Sequence, residues 1–387
     1  MAERRGINNT HLKSRNRGLT LQLIAAGQPL SRADITRRIG LTKMTVTNIV
    51  AELIADGYVE EKSLASTPSV GRHPVLLDIA EHAPKAVGVY LSREKLTVIL
   101  TDLKLQVLYT HAVPLEEETP ETLGRKLLTL VHGALHQTAD PILGIGAASI
   151  GPLDRKERLL LSPTNFFGIS HFPIAALLEE GFHLPVSLQN DMNAAALAEK
   201  LYGLGRALDT FVYLGISNGI GSGIVSGGQL YHDSNGLSGE IGHTSINFEG
   251  PLCSCGNRGC LETYISLPMI LARLREAAEE EAVSCEDFDR LMSLPACDAV
   301  FRDITDKLAV ALTGAVNLLD PQCVIIGHEG AWLPELYIRL LEEQVNRHIL
   351  AAGHEHVLIS KSIFGSSAPL LGSVCGLYDD LFSGRNG

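Results

Sequence analysis

Apolar positions recur with a helical period over the first sixty residues of the chain. They predict one helix over Leu19–Ala26 and a second within PLSRADITRRIG, with Ser31 as its N-cap and Gly40 at its end. Thr42 is predicted to cap a third helix, whose apolar positions are spaced at i, i+3, i+4, i+7 and i+8: Val46, Ile49, Val50, Leu53 and Ile54. Two short helices joined by a tight turn are typical of a helix-turn-helix, with the later helix as the recognition helix.

The segment after Gly57, YVEEKSLASTPSVGRHPVLLDIA, predicts a strand, a tip and a returning strand, which together would form a wing. An arginine at that tip could enter a narrow minor groove. A three-helix module used for protein contacts would give a similar pattern. If the segment binds DNA, the candidate contacts are Ser31, Thr42, Lys43, Thr45, Thr47, Asn48 and Arg72.

From residue 86 onwards the pattern changes to short buried strands separated by helices. Three strand-like segments fill 86–113, a helix follows from Pro120 to about His136, and ILGIGAASIG is a glycine-rich buried strand. A related order returns from 211 and ends with long helices and the strand CVIIG at 323–327. This repetition predicts two α/β lobes of one architecture with a cleft between them.

Charge is distributed unevenly along the chain. The net charge of −12 consists of +5 in residues 1–73 and −17 in the remainder. A basic head on an acidic body suggests that the head meets a polyanion. A solvated basic surface explains the charge equally well, so the winged-helix pattern has to decide between the two.

Neither a membrane span nor a secretory signal is evident. The longest apolar helical run, around Leu308–Leu319, is too short to cross a bilayer, and the first residues are basic without an apolar stretch. We therefore expect a cytoplasmic protein with no membrane partner. In a reducing compartment, clustered cysteines bind metal more often than they form structural disulfides.

Two segments of the body hold polar residues suited to a binding site. In SLQNDMNAAALAE, Asn190 and Asp191 follow a short strand and precede an alanine-rich helix. A carboxylate there can accept sugar hydroxyls or act as a general base, but the sequence alone favours Asp191 as a helix cap. In GLSGEIGHTSI, Glu240 and His243 lie on a glycine-rich segment.

Three cysteines follow His243 in the spacing H-x9-C-x-C-x4-C, formed by Cys253, Cys255 and Cys260. Three thiolates and one imidazole are a tetrahedral donor set for structural zinc, with no position left for water. A disulfide across C-x-C would be strained, and inert buried thiols would not need this spacing. The pattern favours a structural Zn²⁺ site.

GEIGH followed by CSCGNRGCLE resembles the signature of the ROK family, which contains sugar-responsive repressors and sugar kinases. The resemblance implies an actin-like (ribonuclease H-like) body, zinc bound by the four residues above, and a winged-helix head as in the repressor branch. It also implies a set of sugar contacts: Asn165, Asn190, Asp191, Glu240, His243 and Glu262. His243 would then use one ring nitrogen for zinc and the other for a sugar hydroxyl.

The nucleotide-binding motifs of the kinase branch are altered in this chain. The first phosphate turn of the kinases, Asp-x-Gly-Gly-Thr, is replaced by residues 90–94, YLSRE, and Ser217-Asn218 replaces Gly-Thr in the second. His328 and Glu329 interrupt a glycine run in the third, where a glutamate would repel phosphate. These changes argue against ATP binding.

The sequence therefore predicts an α/β protein with a winged helix-turn-helix domain over residues 1–80 and a two-lobed body over 81–387, the second lobe at roughly 191–370. The predicted function is that of a sugar-responsive transcriptional repressor and not an enzyme. It would bind a palindromic operator as a homodimer or a dimer of dimers, with a sugar effector in the cleft. A sugar kinase with a regulatory DNA-binding head is the alternative, and a zinc-stabilised sugar-binding module without DNA binding is a third possibility.

Overall fold

The structure is a computed structural model that describes residues 9–62, 75–231 and 236–385. The chain forms two compact units. The first consists of residues 1–150, 157–189 and 373–387, and the second of residues 151–156 and 190–372. No helix in the described ranges has the length and apolar character needed to cross a membrane.

Helices and strands are interspersed through the described ranges of the chain. The helices are α1 Asn9–Ala25, α2 Arg32–Ile39, α3 Lys43–Ala55, α4 Pro120–Leu135, α5 Ile174–Phe182, α6 Asp191–Tyr202, α7 Glu262–Ile265, α8 Leu267–Ala278, α9 Phe288–Leu291, α10 Pro295–Leu319, α11 Glu335–His348, α12 Ala368–Gly372 and α13 Cys375–Ser383. The strands are β1 Leu30–Ser31, β2 Val59–Lys62, β3 Leu76–Ile79, β4 Lys85–Leu91, β5 Lys95–Thr101, β6 Val107–Pro114, β7 Ile142–Ser149, β8 Leu153–Asp154, β9 Leu159–Leu160, β10 Val186–Asn190, β11 Phe211–Ile216, β12 Ile220–Ser226, β13 Gln229–Leu230, β14 Cys323–His328 and β15 Leu358–Lys361.

The N-terminal helices and strands form the predicted winged helix-turn-helix. Ser31 caps α2 in a capping box with Asp34, Gly40 ends that helix in the left-handed conformation, and Thr42 caps α3. Strands β2 and β3 pair antiparallel with Val59 opposite Ile79, and β1 completes a three-stranded sheet. The predicted wing tip, with Arg72, lies outside the described residues.

Helix α1 begins ten residues before the predicted start at Leu19. The extra turns are polar and carry no apolar period, so the pattern did not include them. They are held instead by tertiary packing against α13, which Gly18 approaches so closely that a Cβ there would lie 2.1 Å from the Phe382 carbonyl oxygen. Helix α13 in turn is tied to the sheet by Tyr378, whose hydroxyl is 2.8 Å from that of Thr101.

The rest of the first unit is built on a five-stranded sheet in the order β10-β7-β4-β5-β6. Strands β4, β5 and β6 form an antiparallel meander, and β7 pairs parallel with β4. All seven residues of β4 are buried, whereas β6 lies at the edge and is largely exposed. Helix α4 buries its apolar stripe against this sheet.

The second unit has a five-stranded sheet in the order β13-β12-β11-β14-β15. Strands β11, β12 and β13 form an antiparallel meander. Strand β14 pairs parallel with β11, and β15 pairs parallel with β14. Read from the edge of each meander, the two sheets have the same strand order. The predicted duplication of one architecture is confirmed.

Candidate functional site

The cysteine-rich segment of the second unit gathers four potential metal ligands. Ligand atoms of His243, Cys253, Cys255 and Cys260 all lie within 4.8 Å of one another. The Cys255 and Cys260 Sγ atoms are 3.7 Å apart, and the Cys253 Sγ is 3.6 Å from His243 Nδ1. Tetrahedral ligands about 2.3 Å from one ion would be separated by about 3.8 Å. The cluster therefore fits a four-coordinate metal ion.

The backbone of this segment folds back on itself to bring the thiols together. Cys253 N–H donates to the Asn257 carbonyl over 2.8 Å, and Gly256 N–H donates to the Cys253 carbonyl over 3.0 Å. At Gly259, which has a φ of +65°, a Cβ would lie 1.7 Å from the Asn247 carbonyl oxygen. Only glycine permits this approach.

The thiols differ in how readily they would ionise without a cation. Burial raises the pKa of Cys253 and raises that of Cys260 to about 12, whereas a backbone hydrogen bond from Asn257 lowers the pKa of the exposed Cys255. A bound cation favours the thiolate and offsets the cost of burying it. The donor set and its spacing are suited to such an ion.

His243 and Glu240 are positioned by the tight course of residues 239–243 along β12. The Gly239 carbonyl accepts hydrogen bonds from Ser222 N–H over 2.8 Å and from Ser222 Oγ over 2.9 Å. Gly239 has a φ of +87°, and a Cβ there would lie 2.0 Å from the Ser222 carbonyl oxygen. The following turn, Ile241–His243, directs the His243 Nδ1 towards the thiols.

Two carboxylates lie beside this cluster. Glu262 begins α7 directly after Cys260 and Leu261, and its Oε1 is 3.5 Å from His243 Nδ1 and 3.3 Å from the donating Cys253 Sγ. Desolvation by the surrounding protein raises the pKa of Glu240, although part of its side chain remains exposed to solvent. The nearby His243 lowers this pKa, and the like charges of Asp191 and Glu262 raise it. Four of the six predicted sugar contacts therefore interact electrostatically within one unit.

Asn190 and Asp191 stand where β10 meets α6. The interpretation of Asp191 as the helix cap is wrong: Asn190 is the N-cap, and its Oδ1 accepts the Met192 N–H over 3.0 Å. Asp191 is the first helical residue, and its own Oδ1 accepts the same N–H over 2.9 Å. Its side chain is nearly buried, with 7% exposed. Asn190 therefore occupies the capping position, and the Asp191 carboxylate shares the same N–H from within the helix.

The sixth predicted sugar contact, Asn165, lies in the first unit. It is exposed and has a φ of +55°, a conformation that asparagine tolerates better than most residues.

The positions that replace the kinase phosphate motifs lie at strand ends and in the turns that follow them. Residues 92–94 connect β4 to β5, and Ser92 closes this turn because its N–H donates to the Lys95 carbonyl over 3.1 Å. In the second unit, Ser217 N–H donates to the Gly219 carbonyl over 2.8 Å. His328 is nearly buried and forms an ion-pair contact with Glu329. Glu329 begins the helical turn Glu329–Trp332 that directly follows β14.

The predicted DNA-contacting residues around α3 differ in their availability. Lys43, Thr47 and Asn48 are exposed on the helix surface opposite the buried Val46 and Ile49. The hydroxyls of Thr42 and Thr45 lie 2.9 Å apart, and Ser31 Oγ donates to Asp34 Oδ2 over 2.6 Å. The hydroxyls of Ser31, Thr42 and Thr45 are thus already engaged in local contacts at helix starts.

The fold is that of a winged helix joined to an actin-like α/β body. The profile of the ROK family matches residues 86–377, and that of the MarR family matches residues 14–67, which span the winged-helix region. The chain belongs to the ROK family.

The chain resembles both repressors and kinases of this family. It is 30% identical to the xylose repressor of Caldicellulosiruptor bescii, with 97% of this chain and 98% of that protein covered. A solved ROK family transcriptional regulator, a homologue of the Escherichia coli MLC protein, covers 97% of this chain and 98% of its own, with 27% identity and a TM-score of 0.79. The ROK hexokinase of Thermus thermophilus covers 78% of this chain and 100% of its own, with 29% identity and a TM-score of 0.66. The relatives that align over nearly the whole chain are regulators, which supports the expectation that this protein is not an enzyme.

Proposed function

We propose that this protein is a sugar-responsive transcriptional repressor of carbohydrate-utilisation genes. The observation that carries the proposal is the joining of a winged helix to a ROK body that retains the sugar-contacting residue types and has lost the kinase phosphate turns. The xylose repressors that align with it end to end support the same assignment. D-xylose is therefore the first effector to test. A regulator of this kind works in the cytoplasm.

Operator binding is assigned to the exposed side of α3. Lys43 would contact phosphate, and Thr47 and Asn48 would reach base edges in the major groove. Arg72 remains a predicted minor-groove contact. Two heads of a homodimer would occupy half-sites one or two helical turns apart, at about 34–36 Å per turn.

The metal held by His243 and the three cysteines is proposed to be zinc in a structural role. All four donors are nitrogen or sulphur, and they fill a tetrahedral shell without a place for water. The ion would fix the His243 ring through Nδ1, which leaves Nε2 for a hydrogen bond to a ligand.

The sugar is proposed to be held by hydrogen bonds from its hydroxyls to Asp191, Glu240 and Glu262, with Asn190, Asn165 and His243 as further contacts. Carboxylates are strong acceptors for hydroxyl donors, which gives each hydroxyl a defined partner. Sugar binding would favour the state of lower operator affinity, by no more than the difference in sugar affinity between the two states.

Operator affinity with and without sugar tests the proposal. Duplexes selected from a random pool by the purified protein would be titrated in the presence of D-xylose, D-glucose or N-acetyl-D-glucosamine. We expect one sugar to weaken binding by roughly 5–150-fold, the usual range of allosteric coupling. Unchanged affinity with all three would contradict the effector role, and a failure to select any duplex at low salt would favour a sugar-binding module without DNA binding.

A matched pair of variants assigns the DNA surface. Lys43→Ala should weaken binding to all duplexes and reduce the slope of log affinity against log salt by about one. The control, Lys95→Ala, removes an exposed lysine from the body and should leave both quantities unchanged.

A sugar kinase remains the second candidate because Asp191 is retained and the hexokinase matches the body. Sugar-dependent release of ADP from ATP distinguishes the two. Turnover that disappears in Asp191→Asn would establish the kinase; we expect none above the rate without sugar.

A further inference from the structure

Met192, which immediately follows Asp191, occupies a gap in the sheet of the second unit that is lined by glycines. Gly215 on β11 and Gly221 on β12 are directly opposite partners in the antiparallel ladder. A Cβ at Gly215 would lie 2.2 Å from the Met192 Sδ, and one at Gly221 would lie 3.0 Å from its Cγ. The side chain is 6% exposed. Methionine thus fills space that any larger residue on either strand would take.

The backbone of Met192 is held by the same strands. Two residues further along β12, a Cβ at Gly223 would lie 2.4 Å from the Met192 carbonyl oxygen and 2.7 Å from the Ala196 Cβ. The first turn of α6 therefore rests directly on the β11–β12 hairpin. Its distance from the sheet is set by the absence of side chains at these three glycines.

Met192 also contacts the two polar residues before it. Its N–H donates to Asp191 Oδ1 and to Asn190 Oδ1, over 2.9 and 3.0 Å. Both oxygens are thereby oriented by an amide whose own position depends on the packing of the methionine. A shift of the side chain in its gap would move that amide and the Asp191 carboxylate with it.

We propose that Met192, packed against Gly215 and Gly221, is the positioning residue of the effector site, and that it sets sugar affinity through the placement of Asp191. This inference rests on the proposed function, since it takes Asp191 as a sugar contact. It also gives the glycines of the β11–β12 hairpin a role other than phosphate binding.

The test compares two truncations on one helix. Met192→Ala and Leu197→Ala each remove a buried side chain of α6, but Leu197 lies six residues after Asp191 along the helix. Dissociation constants for D-xylose, D-glucose and N-acetyl-D-glucosamine would be measured by calorimetry, with melting temperature and bound metal as controls. We expect Met192→Ala to weaken sugar binding at least tenfold and Leu197→Ala less than threefold at a similar loss of melting temperature.

Two further variants keep the test decisive if Met192→Ala folds poorly. Met192→Leu retains most of the volume and should weaken binding by less than Met192→Ala, which a positioning role requires. Gly215→Ala should displace the intact methionine and weaken binding as Met192→Ala does. In an Asp191→Asn background, Met192→Ala should cost less than twofold further, because its effect passes through Asp191.

The outcomes separate the two proposals. If the wild-type protein binds none of the three sugars, the proposed function and this inference both fail. Suppose that the wild-type protein binds one of these sugars. If Met192→Ala binds that sugar as tightly as the wild type, or loses no more affinity than Leu197→Ala, the inference alone is overturned.

Discussion

The two five-stranded sheets of this protein share one strand order but differ in what their meanders carry. In the first unit, β4 is buried along its whole length, and the nearby helix α13 connects the sheet to α1 of the winged helix. In the second unit, the hairpin β11–β12 is rich in glycine and supports α6 and the segment with Glu240 and His243. The same architecture thus supports the winged helix in one unit and the candidate functional site in the other.

The difference lies in side-chain volume more than in topology. Glycines on β12 let α6 rest close to the sheet, and Gly239 and Gly242 let the segment with Glu240 and His243 run close along β12. In the first unit the close approach occurs at Gly146 on β7, where a Cβ would lie 2.1 Å from the Ser373 carbonyl oxygen, and it serves the packing of the C-terminal segment. The variants below test whether each unit depends on its own close contacts.

The largest effect is expected from Cys260→Ser, which removes a fully buried thiol of the candidate metal site. Loss of a structural metal should destabilise the second unit by about 4 kcal/mol or more. Metal content and hydrogen exchange by mass spectrometry would measure it, with the exchange of the first unit unchanged. The control is Cys285→Ala, outside the cluster. A Cys260→Ser protein that keeps its metal and its protection would contradict the metal assignment.

Gly18→Ala should act on the first unit alone. The added methyl group would meet the Phe382 carbonyl, and overpacking of this kind costs about 1–3 kcal/mol. Faster hydrogen exchange in α1 to α3, with an unchanged second unit, is the expected result. Normal protection of these helices would show that α13 does not hold the head in place.

Two buried carboxylates, Asp78 in the first unit and Glu199 in the second, should contribute to stability in opposite directions as the pH changes. Burial alone would raise the pKa of Asp78, but hydrogen bonds from Lys62 and Lys104 outweigh it and lower the pKa. Burial raises the pKa of Glu199, against hydrogen bonds from Ser362 and the backbone. Asp78 therefore stabilises the first unit above the unfolded-state pKa of about 3.9 and loses this effect as the pH falls through its folded pKa. Glu199 stabilises the second unit below about pH 4.3 and loses that effect as the pH rises through its folded pKa.

Two isosteric variants measure these contributions. Asp78→Asn should remove about 2 kcal/mol from the first unit at neutral pH and less in acid, since hydrogen bonds to charged groups are worth about 1.5–3 kcal/mol. Glu199→Gln should reduce the gain in stability of the second unit on acidification. Unfolding followed by hydrogen exchange at several pH values checks both variants against the wild type. A difference from the wild type that does not change with pH would contradict the two assignments.

Gly314→Ala should produce the smallest change, a stabilisation of about 1 kcal/mol. Gly314 lies within α10, and a Cβ there would meet nothing within 4 Å. The contrast with Gly18→Ala separates a helical glycine required by packing from one that is not. A rise in melting temperature confirms the expectation, and a fall would point to a contact on this face of α10.

Sequence pattern predicted the local structure well where apolar periodicity and caps agree. Ser31, Gly40 and Thr42 end or begin helices as expected, and the spacing of the cysteines led directly to the cluster with His243. Helix α1 was predicted too short because its first turns depend on α13, more than 350 residues away. Local periodicity has no access to such a contact.

Site details that depend on packing could not be predicted in the same way. Asp191 was taken for a cap because Asn190 and Asp191 are equally good caps in sequence, and only the backbone at Asn190 distinguishes them. Met192 was missed because a methionine at the start of an apolar helix is usually a core residue. The alternating glycines at 215, 221 and 223 were the available signal, since glycines on paired strands leave room that some other side chain must fill.

The division of the chain also affects the order in which the protein can fold on the ribosome. The second unit is almost one continuous segment, residues 190–372, whereas the first needs residues 373–387 to supply α13. During synthesis the winged helix emerges before the second unit, whereas its packing partner α13 emerges after it. Domains generally fold as units while the nascent chain lengthens. The second unit can therefore fold before α13 is available to pack against α1 of the winged helix.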